Sequence, residues 1–370
     1  MPFADELLGA AVARTLTRSL QEAAPGNPFD ATAHAAERLD GLALRERADL
    51  LRDAVLEDVP GDYATLAGII RTAQASDPAF AGWLIWPVTS AVAARGVEEW
   101  TPEAFDDAMR LLAELTERLS AEFAIRTLLR HDLDRALAIV LDWTTSDNEH
   151  VRRLASEGTR PYLPWAVRVR EIVANPGVTV PILDALYRDP SEYVRRSVAN
   201  HLNDLSRDDP ELVVATANRW LAEPDANTPA LVRHALRTLV KRGNPGALAA
   251  LGFGAATTEV EGFGLESAHV PFGGTVRFVA TVRNTGAETA RLAIDYVVHH
   301  QKANGSQTTK TFKLTTTELA PGEHILLSRE HSFRAITTRR YHPGAHGIAL
   351  QVNGVATEPL TFELLPPTES

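Results

Sequence analysis

Residues 143–165 read WTTSDNEHVRRLASEGTRPYLPW, and the first part of this run recurs twice further along the chain. SDNEHVRRLASEG (146–158), DPSEYVRRSVANHL (189–202) and TPALVRHALRTLV (228–240) each give a turn, then Val-Arg, then an alanine or leucine face. The marking valines, Val151, Val194 and Val232, stand 43 and 38 residues apart. That period is the length of one helix pair in a repeat protein. A single pair cannot bury its own apolar face, so neighbours stack into a solenoid with an extended concave surface.

Outward from these repeats, residues 1–252 read as a HEAT-like α-helical solenoid. Leu7, Leu8, Val12, Leu16 and Leu20 recur at helical spacing, as do Leu111, Leu112, Leu115 and Leu119. Proline and Asp/Gly turns interrupt the helices, as in Asp58-Val59-Pro60-Gly61. Residues 253–262, glycine-rich, are expected as a linker. Residues 263–370 change character, with alternating or β-branched runs at 275–282, 292–298, 309–314, 324–327, 347–352 and 360–364. About seven short strands between turn signals predict an immunoglobulin-like β-sandwich. The fold class is therefore α + β and multidomain.

The longest uncharged run, Pro78–Ala94, spans 17 residues and contains Pro87, Thr89 and Ser90. A membrane span needs about 20 apolar residues. A buried helix broken near Pro87 is the expected reading. Asp5 and Glu6 precede any basic residue, the reverse of a secretory leader. With no cysteines the chain forms no disulfides, and a cytoplasmic protein is expected.

Net charge is −11. It is unevenly spread: residues 1–149 hold 13 basic and 26 acidic residues, 150–250 hold 14 and 11, and 251–370 hold 10 and 11. Ten of the 14 basic residues in the middle segment fall between Arg152 and Arg219. This is a modest electrostatic footprint for a polyanion on an acidic protein.

Glu157 stands against its local preference. It sits beside Gly158, read as a helix stop, and a helix C-terminus already carries partial negative charge. Arg153 lies four residues before it and Arg160 three after, so either can hold the carboxylate ionised. The plain alternative is a surface ion-pair ladder. Glu122, in SAEFAIRTLL, is expected on a largely buried helix with Arg126 at salt-bridge spacing. Paired carboxylates on neighbouring repeats can stabilise a sugar oxocarbenium ion and orient a water.

Trp165 follows Pro161-Tyr162-Leu163-Pro164. The prolines fix where the indole points, either into a helix junction or out as a flat surface for a base or sugar. Trp83, Trp86 and Trp143 are expected in the core. Arg152, Arg153, Arg195 and Arg196 form matching pairs one repeat apart, either as solvated helix faces or as a track for phosphates. Asn200 and Asn203, with Asp204, are helix–helix hydrogen bonds or ligand contacts, and spacing leaves both open. The twelve histidines show no helical HxxxH pair, and no phosphate loop, dinucleotide fingerprint or GxSxG elbow occurs. No metal and no cofactor are expected.

SAEFAIR (120–126), SDNEHVRRLASEGTRPYLPW (146–165) and RRSVANHLNDL (195–205), with the helical front and β-rich end, resemble the AlkC-type DNA alkylation repair glycosylases, relatives of the AlkD group. Tyr162 and Thr127 depart from the family pattern, where arginine and proline are expected. The resemblance implies a monofunctional glycosylase that releases N3-methyladenine and N3-methylcytosine from double-stranded DNA without enclosing a flipped base. It implies that Glu122 and Glu157 are the catalytic carboxylates. Arg153, Arg160 and Trp165 become contacts at the lesion or its backbone, and the sandwich helps clamp DNA, with Arg334, Arg339 and Arg340 as one candidate contact. Arg152, Arg195, Arg196, Asn200 and Asn203 are the further candidates for DNA binding. A monomer with no membrane partner is expected. The competing readings are a non-catalytic HEAT-repeat scaffold for protein or nucleic acid, and a glycosidase acting on a ribosyl substrate other than DNA.

Overall fold

The computed structural model describes residues 4–336 and 339–367. Its helices begin where the sequence supplies caps. Asp62 accepts from the Thr65 amide at the head of Tyr63–Ser76, and Thr101, followed by Pro102, caps Pro102–Leu115. Asp132 caps Leu133–Trp143, and Asn148 accepts from the His150 amide to open Glu149–Gly158. The helix Glu149–Gly158 packs on Leu133–Trp143, Val180–Leu186 and Glu192–Leu205, so the first two repeats stack through Val151, Leu154, Val194 and Val198. No helix among the described residues is long and apolar enough to cross a membrane.

Pro87 does not break its helix. A short 3-10 turn, Gly82–Leu84, leads into Ile85–Glu98, so Pro87 falls in the first turn. There its missing N–H has no partner to lose.

The chain divides into two compact units. One runs to Asp209 and takes in Asp225–Leu231; the other holds Pro210–Pro224 and the chain from Val232 onward. Helices such as Pro210–Ala222 and Arg237–Lys241 therefore pack with the β-domain, ahead of the expected divide at residue 252. The stretch 253–262, expected as linker, is already strand from Thr258.

The strands are β1 (Thr258–Leu265), β2 (His269–Val270), β3 (Thr275–Asn284), β4 (Ala290–Gln301), β5 (Gln307–Leu319), β6 (His324–Ser332), β7 (Gly344–Val352), β8 (Val355–Ala356) and β9 (Leu360–Leu364). They form one sheet in the order β1-β3-β6 and another in the order β2-β9-β7-β4-β5, with β8 on β7. Phe278, Val282, Ile294, Val298, Leu350 and Phe362 fill the core between them. The immunoglobulin-like expectation holds, built without a cysteine pair. Gly243 and Gly354, both at positive φ, meet backbone to backbone; a Cβ on Gly243 would lie 2.6 Å from the Gly354 carbonyl oxygen. Only glycine allows this approach, which seats the end of Arg237–Lys241 against the β7–β8 turn.

One end of the sandwich buries His300, His331 and His346 around Phe333. Burial, aided by the Arg339 charge, pushes His300 down to about 3 and His331 down to about 4; burial also lowers His346. These rings are neutral when folded, so the unfolded chain binds more protons below about pH 6.5. Stability contributed by their neutral form is complete above that pH and is lost as pH falls toward 4. Asp295, pushed up to about 6 by burial against the opposing charges of Lys313 and Lys241, acts in the opposite sense as a single group. Urea unfolding between pH 7 and 4 is expected to lose roughly 1 kcal/mol or more per pH unit. A flat profile would contradict this account.

Candidate active site

Glu157 lies in the last turn of Glu149–Gly158, and its side chain is 8% exposed. Both expected arginines reach it. Arg160 Nη1 donates to Oε1 at 2.6 Å, and Arg153 Nη2 stands 3.4 Å from the same oxygen. Ser197, on the neighbouring repeat helix Glu192–Leu205, donates to Oε2 at 2.7 Å. Arg160 Nε also donates to Asp204 at 2.8 Å. Burial alone would weaken the hold of Arg160 on its proton; the Asp204 hydrogen bond and the Glu157 charge reverse this and raise its pKa.

Glu122 joins the same ladder from 31 residues upstream of Arg153, whose Nη1 lies 2.5 Å from Oε2. Ser120 donates to that oxygen at 2.8 Å. The order is thus Glu122, Arg153, Glu157, Arg160, Asp204. Two expectations about Glu122 are corrected. It sits in the turn before Ile125–His131, not on that helix, and its partner is Arg153, not Arg126. The turn is anchored by Phe123, stacked on Trp86 at 4.6 Å, with Arg45 over both rings.

Arg126 does other work. It is fully buried and donates to the carbonyls of Gly158 at 3.0 Å and Arg160 at 2.9 Å, and to that of Val167. Burial, with the Arg160 charge adding, pushes it down to about 10, so it remains a cation at neutral pH. A guanidinium therefore covers the carbonyls at the helix end, which removes the local penalty on Glu157.

Gly158 is the last residue of the helix and not a left-handed stop. Its role is contact: a Cβ there would lie 2.8 Å from Ile125 Cγ2. The missing side chain lets the Glu157 helix meet the helix that follows Glu122. Gly158→Ala is expected to cost about 1–3 kcal/mol through overpacking, read as a lower urea midpoint. An unchanged or raised midpoint would show that Ile125 yields freely.

His201, also fully buried, lies below the ladder, with Nδ1 2.8 Å from the Ser156 carbonyl and Nε2 3.1 Å from Thr179 Oγ1. Burial pushes it down to about 3, only partly opposed by the Ser156 hydrogen bond, so the ring is neutral.

The remaining expected site residues separate. Arg152 makes a two-point pair with Asp189 at 2.6 and 3.1 Å. Arg195 donates to the carbonyls of Asp189 and Pro190 and closes its own repeat turn. Arg196 is exposed and pairs only loosely with Glu192 at 3.2 Å. Asn200 and Asn203 are half-buried on the same helix as Ser197. Trp143 and Trp86 are buried and Trp83 half-buried, as expected of core residues. Trp165 is 66% exposed and held at φ +62°, a region costly for a non-glycine residue. The Arg45 guanidinium donates to its carbonyl. Tyr162, one of the two atypical positions, donates to Asp208 at 2.9 Å and lies under Arg207. Among the described residues no group of three or more His, Asp or Glu is placed to hold a metal ion.

Residues 99–239, which contain this ladder, match the family described as "DNA alkylation repair enzyme", and residues 259–366 match "Uncharacterised protein YhaZ, C-terminal Ig-like domain". The chain is 32% identical to the uncharacterized protein YhaZ of Bacillus subtilis (strain 168), over 87% of this chain and 88% of that one. It superposes on the Pseudomonas fluorescens alkylpurine DNA glycosylase AlkC bound to DNA containing an abasic site analog. That match has a TM-score of 0.85 and 34% identity, and covers 99% of this chain and 100% of the other. The chain belongs to the AlkC-type DNA alkylation repair enzymes. In this AlkC-type chain, sequence spacing alone pointed to Glu157, Arg153 and Arg160. Ser120, Ser197, His201 and Arg45 were not singled out. Ser197 carried a weak signal, since it follows the Arg195-Arg196 pair as Leu154 follows Arg152-Arg153, a polar residue at a repeat position otherwise apolar. Arg45 carried none.

Proposed function

We propose that this chain is a monofunctional DNA glycosylase that hydrolyses the N-glycosidic bond of cationic alkylated bases, N3-methyladenine and N3-methylcytosine, in duplex DNA. The observation that carries the reading is the joining of Glu122 and Glu157 through Arg153. Similarity to an alkylpurine DNA glycosylase seen with an abasic site analog supports base release from DNA and the purine lesion.

An alkylated base with a formal positive charge is already a good leaving group. As the bond from C1′ to the base nitrogen breaks, its electron pair neutralises the base, and positive charge develops on the sugar. Water then adds at C1′ and gives up a proton. No general acid, metal or cofactor is needed. What helps is fixed negative charge at the sugar and an oriented water. Glu157 has both oxygens engaged, whereas every protein hydrogen bond to Glu122 goes to Oε2. Oε1 of Glu122 is thus the acceptor left for water, and Glu157 with Arg153 fixes its position.

Arg153 and Arg160 act on the lesion through the carboxylates they orient. Trp165 and Arg196 are exposed, and in this reading they are the groups that meet nucleic acid. An indole on open surface suits contact with the lesion without enclosure of a flipped base. The test is incubation with duplex oligonucleotides carrying N3-methyladenine or N3-methylcytosine, followed by measurement of free base. Salt-sensitive DNA binding with no base release from either lesion would reject a glycosylase in favour of a scaffold.

A further inference from the structure

The second unit contains a charged cavity that base excision does not use. It has a volume of about 430 Å³ and lies between Arg233, the helix Arg237–Lys241 and the β4–β5 face. Five cations line it, Arg233, Arg237, Lys241, Arg291 and Lys313, against one carboxylate, Asp295.

Asp295 is placed there by the alternation of strand β4. Leu292, Ile294, Tyr296 and Val298 of β4 turn into the core, whereas Arg291, Ala293 and Asp295, on the other face, line the cavity. Asp295 is 8% exposed, yet among the described residues its carboxylate has no hydrogen bond and no ion pair. Lys313, its cross-strand neighbour, and Lys241 act on it only at longer range. A buried carboxylate without a partner is costly, and so is a ring of like charges around it. Burial accordingly pushes Asp295 up to about 6.

The cavity also has an apolar side. Val240, Leu251 and Phe253 line it, and Arg291 lies over the Phe253 ring at 4.8 Å while donating to the Leu251 carbonyl at 3.2 Å. The Gly243–Gly354 contact fixes the helix that carries Lys241. The volume lies within the usual range of small-molecule sites, about 300–1,000 Å³.

We propose that this cavity binds a small phosphate monoester of the mononucleotide class, whose phosphate neutralises the cations, whose planar ring lies on the Phe253 wall and whose amine or hydroxyl donates to Asp295. A DNA backbone phosphate answers only half of this chemistry. It supplies negative charge but no hydrogen, and it leaves Asp295 unpaired and repelling it.

The probe is adenosine 5′-monophosphate, titrated calorimetrically into the full chain, with adenosine and inorganic phosphate as controls. One-to-one saturable binding of the monophosphate is expected, at least tenfold tighter than either control. The Arg233→Ala, Lys241→Ala double variant changes two exposed side chains and is expected to lose at least tenfold in affinity with an unchanged circular dichroism spectrum. Asp295→Asn is expected to weaken the monophosphate several-fold and inorganic phosphate little. Absence of saturable monophosphate binding overturns the proposal, as does binding no tighter than phosphate alone. If the double variant weakens duplex DNA while the monophosphate never binds, the cavity is a backbone contact and the proposal is wrong. Base release is a separate readout, and its loss or retention in the wild type bears on the glycosylase reading alone.

Discussion

Glu122→Gln is expected to lower base release at least tenfold, with a loss on the order of 10²–10³ typical for one preorganised polar group at a reacting centre. The fold should be untouched. Glutamine keeps the shape, and its oxygen can still accept from Ser120 and Arg153, which bond to Glu122 at 2.8 and 2.5 Å. Arg153 keeps Glu157 as a counter-charge at 3.4 Å. What disappears is one negative charge and the basicity of the unpaired Oε1. Glu157→Gln separates the two roles. It should also slow base release, but it removes a buried carboxylate that holds Arg160, Arg153 and Ser197. Its urea midpoint should therefore fall, whereas that of Glu122→Gln should not. Single-turnover release of N3-methyladenine from duplex oligonucleotide, with denaturation curves for each protein, reads both effects. Wild-type rates in both variants would remove the carboxylates from the chemistry.

The difference between these glutamates also explains what the sequence could reveal. Arg153, Glu157 and Arg160 lie at helical spacings of four and three, so their meeting is a local consequence of one helix. Glu122 reaches Arg153 across a helix boundary, and the contact depends on how two repeats pack. Spacing suggested Arg126 instead, because that residue is four positions away. Arg126 points into the repeat junction and donates to three carbonyls there, while the half-buried Glu122 is taken up by Arg153. The resemblance to a known family supplied Glu122. Ser197 and Arg45 make their contacts from 40 and 120 residues away; only its repeat position marks Ser197, and nothing local marks Arg45.

The same contrast runs through the fold. The paired turns and Val-Arg steps of the first two repeats are local periodicities, and they became the stacked helices Glu149–Gly158 and Glu192–Leu205. Strands β3, β4 and β7 were legible because their apolar residues recur on a buried sheet. β1 was hidden by Gly262 and Gly264, which read as linker but form a bulged strand with Gly262 at positive φ. β2 and β8 are two residues long and carry no period at all. Asp295 is a single polar residue in an apolar run, and only the helix packed over that face of the strand gives the position meaning.

Arg126→Met should be the most destabilising single change in the helical unit. Methionine fills much of the same volume, so the cavity term is small and the polar loss dominates. The carbonyls of Gly158, Arg160 and Val167 lose their donor in a fully buried place. Each unsatisfied group costs about 1–3 kcal/mol, so a loss of at least about 3 kcal/mol is expected. Against a total stability of about 5–15 kcal/mol, that lowers the melting temperature by roughly 6–12 °C in a unit of this size. Arg126→Lys should fall between, because an ammonium keeps the charge but cannot span all three oxygens with a planar fork. Arg196→Met is the matched control: its exposed pair with Glu192 spans a single helical turn and should change stability by less than about 0.5 kcal/mol. Equal melting temperatures for Arg126→Met and Arg196→Met would mean that water replaces the guanidinium at the helix end. Glu157 would then stand beside uncovered carbonyls, and its placement would owe nothing to Arg126.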